Sequence, residues 1–367
     1  MRKILVCLFA AGMVLVPAQA QGLKDAVGKY FLIGAALNTQ QTGVGRDSTV
    51  TAIIESNFNC IVAENCMKPE AIQPEEGKFK WRKADRFVQF GQERGMTIIG
   101  HVLVWHAQTP DWFFLDADGG PASPELLKER MRTHINAIVG RYKGRIKGWD
   151  VVNEAIEDDG TYRQSPWYKI LGPEYIELAY RYAHEADPDA ELYYNDFSMS
   201  MPAKRAKVCE VIKDLKDKGL RIDAIGMQSH NGMDYPNLAE YEKSIDAFAA
   251  CGVKVMMTEL DVNALPSPEQ FGGADIAQNF EYQQKLNPYA DGLPAAKAKE
   301  LEQRWLDFFG IYYKHRAQIS RITLWGVSDG GSWLNGWPVA GRTSYPLLFD
   351  REYKAKPVVQ KIIEMYK

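Results

Sequence analysis

KVMMTELDV, residues 254–262, is apolar along both faces until it reaches the acidic Glu259 and Asp261. A strand that is apolar on both faces is typical of a parallel sheet covered on both sides. KGWDVVNEA, residues 147–155, has the same character and also ends on polar residues, Asn153 and Glu154. These two stretches predict parallel strands buried between a barrel interior and an outer ring of helices.

Around them, short β-rich runs alternate with amphipathic helical stretches along the whole chain. Eight runs are predicted as strands, at 31–37, 60–66, 97–105, 146–153, 190–197, 224–229, 253–261 and 319–327. The helical stretches lie at 83–94, 124–142, 173–186, 202–218, 238–251 and 295–316. Eight parallel strands close a barrel, and no linker divides the chain, so the sequence predicts a single-domain (β/α)₈ TIM barrel.

The first 20 residues have the pattern of a signal peptide. Arg2 and Lys3 precede an apolar run over 4–16, and Ala18-Gln19-Ala20 is a small-x-small cleavage signal. The run is too short for a membrane anchor, which needs roughly 20 residues. We therefore expect residues 1–20 to be removed and 21–367 to form one exported catalytic domain, secreted or periplasmic, without a membrane span.

Composition limits the partners of the chain. Of its 367 residues 46% are hydrophobic and 25% are charged, an ordinary globular balance. Removal of Arg2 and Lys3 takes the formal net charge from −3 to −5, and no basic stripe is present, so nucleic acid is not an expected partner. A neutral polymer is compatible with this charge, and a monomer without a cofactor is expected.

Four cysteines remain after removal of the signal peptide, at Cys60, Cys66, Cys209 and Cys251. They are too few for a disulfide framework in so long a chain, and no CxxC spacing suggests zinc. Most are expected to be small buried apolar residues. A pairing of Cys209 with Cys251 is left open.

Polar and aromatic residues cluster where the predicted strands end, which is the face on which (β/α)₈ barrels carry their active sites. In chain order they are Glu64, Asn65, Lys68, His101, Trp105, His106, Gln108, Asn153, Glu154, Gln228, His230, Glu259, Asp261, Trp325 and Trp333. Glu154 and Glu259 are a natural pair, because glycosidic bonds are broken by two carboxyl groups that flank the anomeric carbon. The ends of strands four and seven face each other across a closed barrel, so both carboxyls can reach one sugar.

Other chemistries fit the pattern less well. A single glutamate at a strand end is more often structural than catalytic. His101 and His106 could suggest a metal, but their spacing on a strand turns them to opposite faces, so no metal site is predicted. The glycine pair in SDGGSW, 328–333, could cradle a phosphate, yet tryptophans rather than basic residues surround it.

Six segments together resemble glycoside hydrolase family 10, whose members are endo-1,4-β-xylanases. In order they are AENCMKP (63–69), GHVLVWHAQTPDWF (100–113), WDVVNEA (149–155), IGMQSH (225–230), MTELDV (257–262) and TLWGVSDGGSW (323–333). The resemblance covers nearly the whole chain after residue 20. It implies a (β/α)₈ barrel and endo-hydrolysis of β-1,4-xylan with retention of configuration.

Residue roles follow from this resemblance. It implies that Glu154 is the acid/base and Glu259 the nucleophile, with His230 and Asp261 holding Glu259 in its ionised form. Asn153 resembles the residue that hydrogen-bonds the sugar 2-hydroxyl. His101, Trp105 and Gln228 match the subsite at the cleaved bond, and Glu64, Asn65 and Lys68 match the next sugar on the glycone side. Gln108 joins these binding residues, together with Trp325 and Trp333.

Trp325 and Trp333 offer flat apolar faces to sugar rings. One of them could also exclude the hydroxymethyl group that glucose carries and xylose lacks. This hypothesis can be tested by the ratio of aryl cellobioside to aryl xylobioside turnover after either tryptophan is replaced by a smaller residue.

One stretch departs from a compact family member. The segment 265–293, rich in proline, glycine and glutamine, is longer than expected, so the leaving-group side of the cleft is not defined by the resemblance. Tyr282 and Tyr289 within it are candidate sugar platforms. Two other functions stay open: an endo-glucanase or mixed-specificity β-glycanase on the same barrel, and a non-catalytic polysaccharide-binding protein, against which the presence of both carboxyls argues.

Overall fold

The structure, a computed structural model, describes residues 21–266, 285–338 and 340–367. The predicted signal peptide, Tyr282 and most of the long segment at 265–293 lie outside these residues. Within them, eight parallel strands form a closed barrel, in which every strand pairs with a neighbouring barrel strand on each side. The predicted TIM barrel is confirmed.

The barrel strands lie where the sequence predicts them. They are β1 (Leu32–Leu37), β2 (Cys60–Ala63), β3 (Thr97–Val104), β4 (Gly148–Asn153), β5 (Glu191–Asp196), β6 (Ala224–Met227), β8 (Lys254–Asn263) and β9 (Ile319–Leu324). A ninth described strand, β7 (His230–Gly232), was not predicted as a separate element; it pairs with the end of β8 so that His230 lies opposite Asp261.

Helices follow most of the strands, and the six predicted helices are present with ends shifted by at most two residues. The described α-helices are α1 (Leu23–Val27), α2 (Thr39–Thr42), α3 (Ser48–Asn57), α4 (Pro69–Ile72), α5 (Arg82–Glu93), α6 (Pro124–Arg141), α7 (Pro166–Leu171), α8 (Glu174–Ala186), α9 (Pro202–Asp217), α10 (Leu238–Ala250), α11 (Ala295–Lys314) and α12 (Pro357–Met365). Local signals set several starts: Ser123 accepts a hydrogen bond from the Leu126 backbone N–H, with Pro124 in the first turn of α6.

The core has two parts. The larger part fills the space between the strands and the helices, whereas a smaller cluster inside the barrel includes Cys60, Tyr193, Met256 and Trp325. Close packing between the strands and the helices requires glycine at position 100, because a Cβ there would lie 2.0 Å from the ring of Trp149, which belongs to the larger part of the core. Trp325 closes the interior at the end where the strands finish, so the core and the polar cluster meet at this side chain.

The four cysteines, Cys60, Cys66, Cys209 and Cys251, are all described, and all are free thiols in the structure. Cys60 and Cys66 are buried, as expected, and the other two are half-buried. The pairing of Cys209 with Cys251 that the sequence left open is therefore not formed in the structure.

Among the described residues, no helix combines the length and the apolar character needed to cross a membrane.

Candidate active site

A cleft of about 1570 Å³ crosses the face of the barrel where the strands end. All fourteen residues that the sequence predicts for catalysis or binding line it: Glu64, Asn65, Lys68, His101, Trp105, Gln108, Asn153, Glu154, Gln228, His230, Glu259, Asp261, Trp325 and Trp333. Parallel strands bring their carboxyl ends to one face, which explains why residues far apart in sequence meet here. Tyr289 also lines the cleft.

Glu259 on β8 is the more deeply buried of the two paired carboxylates, with 7% of its side chain exposed. Its Oε2 lies 3.1 Å from Nε2 of His230, and its Oε1 accepts a hydrogen bond of 2.8 Å from Nδ2 of Asn195. His230 Nδ1 lies 2.9 Å from Oδ2 of Asp261, which also accepts a 3.0 Å hydrogen bond from Trp333 Nε1. Carboxylate, imidazole and second carboxylate thus form one hydrogen-bonded chain.

The charges in this chain favour an ionised Glu259. Burial acts to raise the pKa of the Glu259 carboxyl, but the hydrogen bond from His230, interaction with His101 and the hydrogen bond from Asn195 together lower it below its usual value. Burial likewise acts to lower the pKa of His230, yet Asp261 and Glu259 outweigh it and raise that pKa to about 10. A protonated His230 between two carboxylates therefore stabilises the anionic form of Glu259 through the neutral pH range.

Glu154 follows β4 directly and has a different set of neighbours. Its Oε2 accepts a 2.8 Å hydrogen bond from Trp105 Nε1, and its Oε1 accepts one of 2.8 Å from Gln228 Nε2 and one of 3.2 Å from Asn153 Nδ2. His106 Nε2 lies 3.9 Å from Oε2. With 13% of the side chain exposed, the carboxyl group opens into the cleft and is held there by neutral donors.

Asn153 and Asn195 connect the two carboxyl groups. Asn153 Oδ1 accepts hydrogen bonds from Asn195 Nδ2 at 2.9 Å and from Gln228 Nε2 at 3.2 Å. Asn195 reaches Glu259 and Asn153 through the same amide nitrogen, while its Oδ1 accepts from Thr258 Oγ1 at 2.5 Å. Glu154 and Glu259 are thus joined by two amide side chains with fixed orientations.

A second polar group lies beside Trp105. Lys68 Nζ donates to Asn65 Oδ1 at 2.9 Å and to Gln108 Oε1 at 2.8 Å, and it lies 5.0 Å from the centre of the Trp105 ring. Burial raises the pKa of Glu64 and lowers that of Lys68, with the opposite charges of the two residues acting against both shifts. This group presents amide, carboxyl and ammonium groups, the functions that bind sugar hydroxyls.

His101 and Trp325 line the cleft between the residues around Glu259 and those around Lys68. His101 Nδ1 lies 2.9 Å from Oδ2 of the buried Asp150, which orients the imidazole ring. The Trp325 ring contacts His101 edge-on, with ring centres 5.5 Å apart, and Trp333 contacts His230 at 5.0 Å. Trp325 and Trp333 therefore line the cleft next to the hydrogen-bonded residues Glu259, His230 and Asp261.

Two residues that the sequence reasoning did not select belong to this arrangement. Asn195 is the last but one residue of β5, in the run YYNDF, so the strand-end signal that identified the others is present for it as well. Gly226 on β6 leaves room for it, because a Cβ at that position would lie 2.4 Å from Asn195 Oδ1. The sequence suggests His106 only as a possible metal ligand, whereas the fold brings its Nε2 to 3.9 Å from Oε2 of Glu154.

A parallel barrel with two carboxyl side chains opening into one long cleft, lined by tryptophans and amides, defines a glycoside hydrolase. Residues 22–365 match the model of glycosyl hydrolase family 10. The chain belongs to this family.

Relatives and solved structures agree with this assignment. The chain is 57% identical to endo-1,4-beta-xylanase A of Xylanibacter ruminicola over the full length of both, and 39% identical to endo-1,4-beta-xylanase B of Paenibacillus barcinonensis over 93% of this chain and 97% of that one. A GH10 endoxylanase structure from a sugarcane soil metagenome superposes with a TM-score of 0.89 at 44% identity, covering 95% of this chain and all of that one. The structure of xylanase B from Clostridium stercorarium F9 superposes with a TM-score of 0.83 at 39% sequence identity. The match covers 94% of this chain and 99% of that one.

Proposed function

We propose that this protein is an endo-1,4-β-xylanase that hydrolyses xylan by a retaining double displacement, with Glu154 as acid/base and Glu259 as nucleophile. The proposal rests on one observation above all. Two carboxyl groups, one next to a charged histidine and the other next to neutral donors, open into the same cleft and are linked through Asn153 and Asn195. Family membership and the names of the relatives support the substrate.

In the first half-reaction, the ionised Glu259 attacks the anomeric carbon while Glu154 gives its proton to the departing glycosidic oxygen. The charged neighbours of Glu259 suit a nucleophile, whereas the hydrogen bonds to Glu154 from Trp105 and Gln228 come from neutral donors. In the second half-reaction, Glu154 takes a proton from the water that cleaves the glycosyl ester.

The remaining residues are proposed to bind and position the sugar. Asn153 is proposed to hydrogen-bond a 2-hydroxyl, a contact that strengthens in the transition state. His230 and Asp261 keep Glu259 charged. His101, Trp105, Gln228, Trp325 and Trp333 form the subsite at the cleaved bond, and Glu64, Asn65, Lys68 and Gln108 form the next one on the glycone side.

We further propose that residues 1–20 direct export and are removed, and that 21–367 act as a monomer on xylan, without nucleic acid as a partner. The apolar run over 4–16 and the Ala18-Gln19-Ala20 motif support the first point. The net charge of −5 after removal of Arg2 and Lys3 supports the last.

Xylan hydrolysis followed by proton NMR tests the function directly. We expect β-configured reducing ends to appear first and to mutarotate afterwards, and we expect turnover of xylan to exceed that of carboxymethylcellulose by at least about tenfold. Initial α-configured products would rule out the double displacement. Equal turnover of the two polymers would support a mixed-specificity β-glycanase instead.

His230 allows a prediction of pH dependence. In His230→Gln, the main group that lowers the pKa of Glu259 is lost while burial still raises it, so the pKa of Glu259 should rise. Since catalysis needs an ionised Glu259, the acidic limb of kcat/KM for an aryl xylobioside should move to higher pH. His184→Gln, on the exposed face of α8, serves as the control and should keep the wild-type limb. An acidic limb that stays in place in His230→Gln would contradict the assigned role.

A further inference from the structure

Glu154 has an uncommon backbone conformation. Its φ is +57°, in the left-handed region that side-chain-bearing residues rarely adopt. Such a conformation persists only where the surrounding structure holds it, and residues of this kind cluster at active sites. The contacts that hold the Glu154 backbone therefore bear on where its carboxyl group lies.

Both peptide groups of Glu154 have partners from other elements. Its backbone N–H donates to the carbonyl oxygen of Asn195 on β5 at 2.9 Å. Its carbonyl oxygen accepts a 2.8 Å hydrogen bond from Nε of Arg163. A hydrogen bond from a charged donor to a carbonyl oxygen is stronger than one from a neutral donor. The hydrogen bond from Arg163 is therefore the stronger of the two.

Arg163 is itself well anchored. Its backbone N–H donates to the carbonyl oxygen of Ala155 at 2.8 Å, and its Nη1 lies 3.2 Å from Oε1 of Glu157. The guanidinium group lies 5.6 Å from the centre of the Phe197 ring, and 19% of the side chain is exposed. Arg163 is thus held in place behind Glu154, and its hydrogen bond goes to the backbone carbonyl of Glu154 rather than to the carboxyl group.

We propose that Arg163 is a positioning residue that fixes the backbone of Glu154 and thereby aims its carboxyl group at the glycosidic oxygen. This role rests on the proposed function of Glu154. The side-chain donors Trp105 and Gln228 must share that carboxyl group with the substrate during the reaction, whereas the Arg163 contact with the carbonyl does not change. Precise placement of the acid through both half-reactions therefore depends on Arg163.

Leaving groups distinguish this role from a general structural one. When the bond to phenol breaks, Glu154 must give its proton to the departing oxygen, and the Glu259 carboxylate bonds to the anomeric carbon. When 2,4-dinitrophenolate departs, it leaves as an anion and needs no proton. A misplaced Glu154 consequently slows cleavage of phenyl β-xylobioside and leaves cleavage of 2,4-dinitrophenyl β-xylobioside almost unaffected.

The test measures kcat/KM for both substrates in the full chain carrying Arg163→Ala, Arg163→Lys or Glu157→Gln. We expect Arg163→Ala to lose on the order of 10²-fold on the phenyl substrate and less than about threefold on the dinitrophenyl substrate. Arg163→Lys should recover part of the loss, because it keeps a charged donor. Glu157→Gln should resemble the wild type, because it removes the ion pair and leaves the carbonyl contact.

If kcat/KM of Arg163→Ala falls by the same factor on both substrates, or does not fall on either, the proposal is overturned. Thermal unfolding is recorded for every variant. If Arg163→Ala does not fold, the decision passes to Arg163→Lys, which must then show the same leaving-group dependence at smaller size. A wild-type protein that cleaves neither xylobioside would instead refute the proposed function, so the two failures can be told apart.

Discussion

Glu259→Gln should abolish hydrolysis of xylan and of aryl xylobiosides alike, with kcat lower by about 10⁴-fold or more. A glutamine amide keeps the size of the side chain but cannot form the glycosyl ester. Unlike a change at the acid/base, this loss should not depend on the leaving group, because every substrate needs the nucleophile. Glu242→Gln on α10, outside the cleft, is the matched control and should retain full activity.

Covalent trapping identifies the nucleophile independently of rates. A 2-fluoro-xylobioside with a good leaving group should add one label to the wild-type protein, and peptide mapping should find it on Glu259. Glu259→Gln should remain unlabelled. Asp261 is the instructive alternative, because it lies two residues away on β8 and shares His230 with Glu259. A label on Asp261, or on any other residue, would show that the assignment is wrong.

The barrel could be predicted because its strands carry a strong signal. Several of the predicted strands, such as the one at 254–262, are largely apolar on both faces, which is typical of a covered parallel sheet, and the eight strands alternate with helical stretches. Half of the described α-helices and β7 are not predicted from the sequence, and two of these elements show a physical reason. β7 has three residues, too few for any periodicity, and α3 buries only Val50 and Ile54, so its apolar stripe is weak.

The location of the site could also be predicted, because the ends of parallel strands meet at one face. The pairing of side chains across the barrel could not. Nothing in the sequence shows that Trp105 donates to Glu154, or that Lys68 bridges Asn65 and Gln108, since these contacts depend on three-dimensional placement. The left-handed backbone of Glu154 is equally hidden, because glutamate has no preference for that conformation.

Asn195 combines a position that the sequence predicts with contacts that it does not. Its position near the end of β5 is visible in the sequence, yet it lies outside the six segments that resemble family 10 and that contain the four selected amides, Asn65, Gln108, Asn153 and Gln228. Its importance follows from a single nitrogen that serves Glu259 and Asn153 together, 64 and 42 residues away in sequence. Polar residues that connect catalytic groups are identified by geometry rather than by type.

Glu154→Ala should give losses that depend strongly on the leaving group. On phenyl β-xylobioside and on xylan, kcat/KM should fall by roughly 10³- to 10⁴-fold, because no acid protonates the departing oxygen. On 2,4-dinitrophenyl β-xylobioside, kcat/KM should stay close to the wild-type value. The kcat for that substrate should nevertheless fall, since the glycosyl ester on Glu259 then waits for water without the help of a base.

Azide separates the two half-reactions in this variant. As an anion that needs no base, it should attack the glycosyl ester in the space left by the missing carboxyl group, raise kcat on the dinitrophenyl substrate and give a β-xylobiosyl azide of retained configuration. Glu259→Gln should show no such recovery, because it forms no ester. Equal losses of kcat/KM on the two leaving groups, or no azide product, would exclude Glu154 as the acid/base. Trp105 and Gln228 lose their acceptor in Glu154→Ala, so Glu154→Gln, which keeps one acceptor oxygen, should reproduce the leaving-group dependence if the lost proton transfer is the cause.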